Sequence, residues 1–268
     1  GIYPDISKDL SAESAFHLKK MMYVSRPDDI KKMVMKYGSV TTAYKVGSDK
    51  YMDYKSYDEV TYHIPDATSS DHEATIIGWD DDYPKENFKY QPEHNGAWLV
   101  KDHLKGNEWW WISYETYMDD IAAYEFEPAD LLANNYMHGS KAVSGVNVLN
   151  TEDSDMNIFT AKKSTETLEK LEAVMLETLG KKDRKITIYV NPVVKDNEIV
   201  DYEYKSAEID FCAEYTGRYK VDIPEDIYLN DGDTFGVEVT REDGVKNADE
   251  VCFDTSQGFT NSTDIPLA

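Results

Sequence analysis

Three short apolar runs, each closed by polar residues, constrain this chain most. Ala74-Thr75-Ile76-Ile77-Gly78-Trp79 follows the polar loop Ser69-Ser70-Asp71-His72-Glu73. Gly96-Ala97-Trp98-Leu99-Val100 follows a Pro, Glu and Asn segment. Trp109-Trp110-Trp111-Ile112-Ser113-Tyr114 comes third. Runs of this length, β-branched or aromatic and bounded by turn formers, read as buried strands rather than helices. His72 then stands at the mouth of the first strand, and Asp102 just past the end of the second. A strand mouth exposes a side chain while its backbone stays fixed, which suits a reactive group.

The neighbouring sequence supplies the rest of a helix-plus-sheet section. Ser25-Arg26-Pro27-Asp28-Asp29 is a helix start, with Pro tolerated in the first turn and carboxylates near the positive end of the dipole. Ile30, Val34 and Met35 continue at helical spacing, and Gly38 is a stop. Val40 to Val46 and Ala122 to Phe126 read as further strands. The first twenty residues lack periodicity and read as a loop. From about Asn134 to Asp155 the chain turns polar, with Val143, Val146, Val148 and Leu149 as a candidate entry strand. The domain boundary is expected near residue 140.

Beyond it, Ile186-Thr187-Ile188-Tyr189-Val190, Arg218 to Ile223 and Phe235 to Val239 read as strands separated by Asp and Gly turns, the pattern of a β-sandwich. Leu168, Leu171, Val174, Met175 and Leu179 argue the other way, because they fall at helical spacing. Tyr189, Tyr202, Tyr204, Tyr215, Tyr219 and Tyr228 are more often packing residues than sugar-stacking ones.

Charge narrows the partners. The chain of 268 residues carries 52 acidic and 28 basic side chains, a net −24. Such a surface repels phosphate backbones and anionic lipid, so nucleic acid is not an expected partner. No apolar stretch approaches the ~18 residues that span a bilayer, so membrane insertion is not expected, and no basic-then-apolar leader pattern opens the sequence. The acidity suits an extracellular setting. Asp80-Asp81-Asp82 and Asn230-Asp231-Gly232-Asp233 invite a Ca²⁺ reading, but neither has EF-hand spacing, and turns are the better reading. No cofactor or metal is expected. Cys212 and Cys252 lack metal-ligand spacing and read as structural. Pairing needs Cα atoms within about 7 Å, so a disulfide and two thiols both fit the sequence.

The ordered motifs Asp71-His72 to Asp80, Asn95 to Asp102 and Trp111 to Glu115 resemble the second half of papain-like cysteine peptidases. The similarity is to bacterial forms that append a lectin-like domain. The stretch Pro27 to Val40 is similar to that family's helix and Gly-Pro-Val turn. Asn157 to Ala161, Glu169 to Val174 and Thr187 to Val190 resemble its lectin-like domain, and that resemblance turns the Leu171 to Thr178 segment from helix to strand. The fold class implied is α+β. A partial papain-like β-rich domain, 1–140, precedes an antiparallel lectin-like β-sandwich, 141–268.

The resemblance also assigns chemistry. A Cys thiolate attacks the carbonyl, and an imidazole moves the proton. A third side chain then holds the ring. His72 falls at the base position and Asp102 at the orienting position. A histidine at a strand end is more often structural, but the flanking Gly78-Trp79-Asp80 and the later motif favour the base reading. His103, beside Asp102, is a competitor at the same rim. The departures from the family pattern are specific. No cysteine precedes His72, so the chain reads as starting near the middle of the peptidase fold. The family's Lys-Asn-Ser-Trp-Gly reads Lys101-Asp102-His103-Leu104-Lys105-Gly106, so Asp102 replaces the orienting Asn. Leu104 replaces the covering Trp, which predicts easier access of water, and the loop from Gly106 to Trp109 is short.

The expectation is therefore a cysteine-type peptidase by family that is inactive as this chain alone. Completion by a Cys-bearing half would give it a peptide or protein substrate. The alternative is a secreted or cell-surface pseudoenzyme whose second domain binds a glycan or a protein.

Overall fold

The computed structural model describes residues 16–47, 51–56, 59–102, 109–128, 136, 145–149, 154–161, 168–178, 183–196, 198–241, 249–253 and 265–267. The chain divides into two compact units. One is Met21–Glu125. The other combines Gly1–Lys20 with Phe126–Ala268.

The elements of the early sequence are β1 (Phe16–Tyr23), α1 (Pro27–Tyr37), β2 (Val40–Tyr44), β3 (Met52–Ser56), β4 (Glu59–Tyr62), β5 (His72–Asp80), β6 (Ala97–Lys101), β7 (Trp109–Ser113) and β8 (Met118–Pro128). The helix forms where its signals lie. Pro27 opens it, Asp28 and Asp29 occupy the first turn and Lys36 the last. Gly38 closes it at φ 86°, donating its N–H to the Val34 carbonyl. Ile30, Met33 and Val34 form its buried stripe. Met35, expected on that stripe, is exposed. The true spacing is i, i+3, i+4, and Met35 falls about a quarter-turn beyond Val34. The loop expected over the first twenty residues is also corrected, since β1 begins at Phe16. Its lysines sit beside apolar residues in a partly buried strand, which hides the alternation.

The sheet of the Met21–Glu125 unit runs β1-β8-β2-β5-β6-β7-β4-β3. Its pairs are antiparallel for β2–β5, β5–β6 and β6–β7, and parallel for β4–β7. Ile76, Val100, Ile112 and Trp110 are fully buried at the centre. Each such aliphatic residue contributes about 1.5–3 kcal/mol by leaving water. That central block makes the ends of β2, β5 and β6 rigid.

Later in the chain come β9 (Gly145–Leu149), β10 (Ser154–Thr160), β11 (Glu169–Lys170), β12 (Ala173–Thr178), β13 (Asp183–Val190), β14 (Val193–Lys195), β15 (Glu198–Asp201), β16 (Tyr204–Lys205), β17 (Ile209–Cys212), β18 (Gly217–Asp222), β19 (Tyr228–Leu229), β20 (Thr234–Arg241), β21 (Asp249–Phe253) and β22 (Ile265–Leu267). β16-β13-β20-β10-β22 form one sheet, with β17 also on β13. β12 pairs with β18, β11 with β19, β14 with β15 and β21 with β9. Strands dominate this unit, and β12 is a strand where helical periodicity alone would have put a helix.

Alternation on β13 sends Ile186, Ile188 and Val190 into a core with Ile227, Leu229 and Phe235. Tyr189 points to the other face, against Met156, Val194 and Ile199. The Asn230–Asp233 segment is a turn in which the Asp233 carboxylate accepts from the backbone N–H and side-chain amide of Asn230. Among the described residues no group of three or more His, Cys, Asp or Glu side chains is placed to hold a metal ion. No helix among them is long and apolar enough to cross a membrane.

Candidate active site

β2 and β5 lie antiparallel with Tyr44 opposite His72. Register is fixed by the buried face of each strand, and a slip of one residue would turn Ile76 outward. The backbone just before His72 is tied to the exit of β2. Asp71 donates its N–H to the Tyr44 carbonyl at 3.1 Å. Its carboxylate accepts the Val46 N–H at 2.7 Å and pairs with Lys45. These donors hold the Asp71 carboxyl below the usual range, the Lys45 ammonium contributing most. The Tyr62 hydroxyl closes the next turn, donating to the Lys45 carbonyl and accepting from the Gly47 N–H, both at 2.6 Å. Burial pushes that hydroxyl up to about 12.

β6 pairs with β5 so that Lys101 faces Thr75, and Asp102 is the next residue along. His72 Nε2 lies 2.7 Å from Asp102 Oδ2. The Tyr44 hydroxyl donates to the same oxygen at 2.9 Å. The Tyr44 ring meets the imidazole edge-on, 5.5 Å between centroids at 89°, a favourable aromatic geometry. Burial first, then the Asp102 charge, pushes the Tyr44 hydroxyl well above its ordinary value, so it stays protonated and donates. A carboxylate oxygen accepts only, so Nε2 carries the proton and Nδ1 is the basic nitrogen of the neutral ring.

The two residues singled out in the sequence are thus brought into contact. The Asp102 side chain is 0% exposed and that of His72 22%. One end of the pair is dry and the other reachable. The Asp102 carboxylate is closed to solvent. Leu104, His103 and the loop from Gly106 lie outside the described residues.

Tyr44 was missed in the sequence. Its signal was the cross-strand position opposite His72, visible only once β2 and β5 are paired in register. A second histidine is also buried. His63 Nδ1 lies 2.9 Å from Thr116 Oγ1, and burial lowers the pKa of its ring. Exposed His94 sits 2.9 Å from Glu115, whose carboxylate also accepts the N–H groups of Glu93 and His94.

In the other unit, Cys212 is an exposed free thiol, and its pKa is raised first by the hydrogen bond to Asp183. Tyr189 and Tyr219 pack as expected, whereas Tyr202, Tyr204 and Tyr228 are exposed, at 46%, 40% and 52%. Tyr204 and Tyr228 sit on two-residue strands, which offer little neighbouring surface to cover a ring, and Tyr202 lies between β15 and β16.

No protein-family model matches the chain, and no curated protein does. Solved structures do. The clostridial cysteine protease Cwp84 after propeptide cleavage superposes at a TM-score of 0.71 and 25% identity, over 90% of this chain and 60% of that one. The cysteine protease and lectin-like domains of Cwp84, described as a surface layer associated protein of Clostridium difficile, superpose at 0.72 and 23%, over 94% and 56%. The chain therefore spans about three-fifths of the structures it matches. The papain-like resemblance, with its lectin-like domain, holds. Within that papain-like setting the His72–Asp102 contact acquires a candidate chemical meaning that a histidine–carboxylate pair alone lacks.

Proposed function

We propose that this chain is the base-bearing part of a papain-like cysteine peptidase. It would be an α+β domain through about residue 140, joined to a lectin-like β-sandwich over 141–268. His72 is the base and Asp102 its orienter. Nε2 is committed to Asp102, so Nδ1 takes the proton from a cysteine thiol and returns it to the leaving amine. The thiolate adds to the scissile carbonyl, the tetrahedral intermediate expels the amine, and water then hydrolyses the thioester. Asp102 in place of Asn is compatible with this cycle, because a carboxylate orients an imidazole in serine triads. No cysteine lies before His72 in this sequence, and neither Cys212 nor Cys252 opens a helix, where a thiolate is stabilised. The chain by itself is inactive on this reading, and peptide or protein substrates belong to a form that includes a nucleophile. The site of action is the cell surface, a reading supported by the description of the matched protein.

The carrying observation is the 2.7 Å contact between a partly exposed imidazole and a buried carboxylate. A thiol-directed peptidase probe applied to the native protein from its source tests it. Labelling that a peptidyl inhibitor blocks, and that His72→Ala abolishes, is the expected result. Labelling indifferent to His72→Ala would remove His72 from the reaction.

A second reading draws on exposed Tyr202, Tyr204 and Tyr228, whose rings suit sugar stacking. In it the chain is a pseudoenzyme that recognises a glycan or a protein through residues 141–268. Silence across a broad glycan panel would count against the glycan form.

A further inference from the structure

We infer that Tyr44 is a positioning residue for the His72–Asp102 pair, holding the carboxylate in the one rotamer that meets the imidazole. The inference rests on the reading of His72 as base. It adds a third member, on a different strand, that motif reasoning does not reach.

Two donors converge on a single oxygen. The Tyr44 hydroxyl and His72 Nε2 lie 2.9 and 2.7 Å from Asp102 Oδ2. A carboxylate at a strand end has two χ angles, and each donor that meets it narrows them. The second donor comes from a side chain that is itself among the largest fully buried groups of the fold. Its backbone is fixed by the β2–β5 ladder. Tyr44 therefore has little freedom, and it transmits that rigidity to Asp102. Hydrogen bonds to ionised groups are the strong ones, so the hydroxyl is well suited to the task. The Tyr44 ring also stands edge-on to His72 and edge-on to Tyr62, 5.7 Å away. It covers the pair on its β2 side.

Among the described residues, Asp102 at the end of β6, Tyr44 on β2, and Lys45 and Asp71 at the entrance of β5 stand near the imidazole. Lys45 and Asp71 neutralise each other. Asp102, aimed by Tyr44, holds Nε2 and so fixes the ring's tautomer.

The test is nuclear magnetic resonance of the whole chain labelled with ¹⁵N-histidine, with His72 assigned through the spectrum of His72→Gln. Long-range imidazole correlations report which nitrogen carries the proton, and saturation transfer reports how fast it exchanges with solvent. The unaltered chain is expected to show His72 protonated on Nε2 and protected. Tyr44→Phe keeps the ring and removes only the hydroxyl, and should speed exchange of the Nε2 proton about tenfold or more. Tyr62→Phe is the control. It removes a hydroxyl of the same aromatic cluster that bonds Lys45 and Gly47 but not Asp102, and should leave exchange within about twofold of the unaltered chain. Equal exchange in Tyr44→Phe and the unaltered chain overturns the inference, and so does an equal acceleration in Tyr62→Phe. A His72 ring protonated on Nδ1 in the unaltered chain overturns the His72–Asp102 pairing itself, a failure distinct from that of Tyr44.

Discussion

Each unit contains a carboxylate that collects hydroxyl donors, and the contrast between the two is instructive. In the unit Phe126–Ala268, Glu238 on β20 accepts from Ser154 at 2.7 Å and from Tyr189 at 2.9 Å, one donor on each oxygen. In the unit Met21–Glu125, Asp102 accepts from Tyr44 and His72 on the same oxygen. The first arrangement stitches β10, β13 and β20 together across a sheet face. The second lies at a strand end, has its carboxylate wholly buried, and includes a partly exposed imidazole. A tyrosine–carboxylate bond is thus ordinary cement in a sheet. The added ring and the shared oxygen are what set the Asp102 site apart.

The largest test of the comparison addresses the cores that hold each carboxylate. Ile76 and Ile188 are both fully buried, and truncating either to Ala should cost about 2–5 kcal/mol. All five tryptophans, Trp79, Trp98, Trp109, Trp110 and Trp111, lie in the His-bearing unit, so their fluorescence reports that unit alone. Ile76→Ala should move the urea midpoint seen by tryptophan fluorescence by about 1–2 M. Ile188→Ala should move only the part of the circular dichroism transition that fluorescence does not follow. Identical shifts by both probes in both variants would mean one cooperative block, and would break the comparison.

A smaller effect separates the carboxylates themselves. Asp102→Ala strands a buried hydroxyl and an imidazole N–H, a loss of about 2–3 kcal/mol. Glu238→Ala strands the hydroxyls of buried Tyr189 and half-buried Ser154 beside a carboxylate that is itself only half-buried, and about 1 kcal/mol is expected. Urea titration of the two variants checks the ranking. Equal losses would mean that burial at Asp102 adds nothing.

The legible and illegible parts of the fold follow from range of interaction. α1 was readable because its signals are local, with Pro27, Asp28 and Gly38 each acting within a turn. The central strands were readable because burial on both faces leaves continuous apolar runs. His72 and Asp102 were readable as a pair only through resemblance, since nothing local brings residues thirty positions apart to 2.7 Å. β12 was legible on the same terms. Its leucines and valines fit helical spacing, and pairing with β18 overrides that propensity. Tyr44 was hidden because its role depends on register across two strands. The exposure of Tyr228 was hidden because it depends on how short its strand partner is.

Acid should separate the His-bearing unit by a further route. His63 is buried beside Thr116, and burial lowers its pKa. The sign follows from proton binding. Below the unfolded value of about 6.5 the unfolded chain takes up a proton that the folded chain refuses, so stability falls with falling pH through that window and is unaffected above it. Asp71, Asp81 and Glu115 have depressed values, and their stabilisation is lost only lower, as pH drops below the ordinary carboxylate range. Thermal melts followed by tryptophan fluorescence from pH 8 down to pH 5 should therefore decline in the unaltered chain. They should be flatter in His63→Gln. An unchanged slope in that variant would move the pH dependence elsewhere.

The finest comparison asks whether the units differ at all when chemistry is removed from the question. Gly38 ends α1 at φ 86°, and Gly232 sits in the Asn230–Asp233 turn at φ 87°. A Cβ added at either meets nothing within 4 Å. Neither substitution creates a clash, so Ala at each position reports the cost of the left-handed conformation alone, about 1 kcal/mol. Gly38→Ala should lower the midpoint seen by tryptophan fluorescence, and Gly232→Ala should lower that of the other unit by a similar amount. A much larger cost at Gly38 would mean that the helix end carries strain on to β2, and through Tyr44 to the His72 site. A loss of His72 Nε2 protection in Gly38→Ala would confirm that route. Equal costs with His72 undisturbed would confine the special character of the His-bearing unit to the side chains around Asp102.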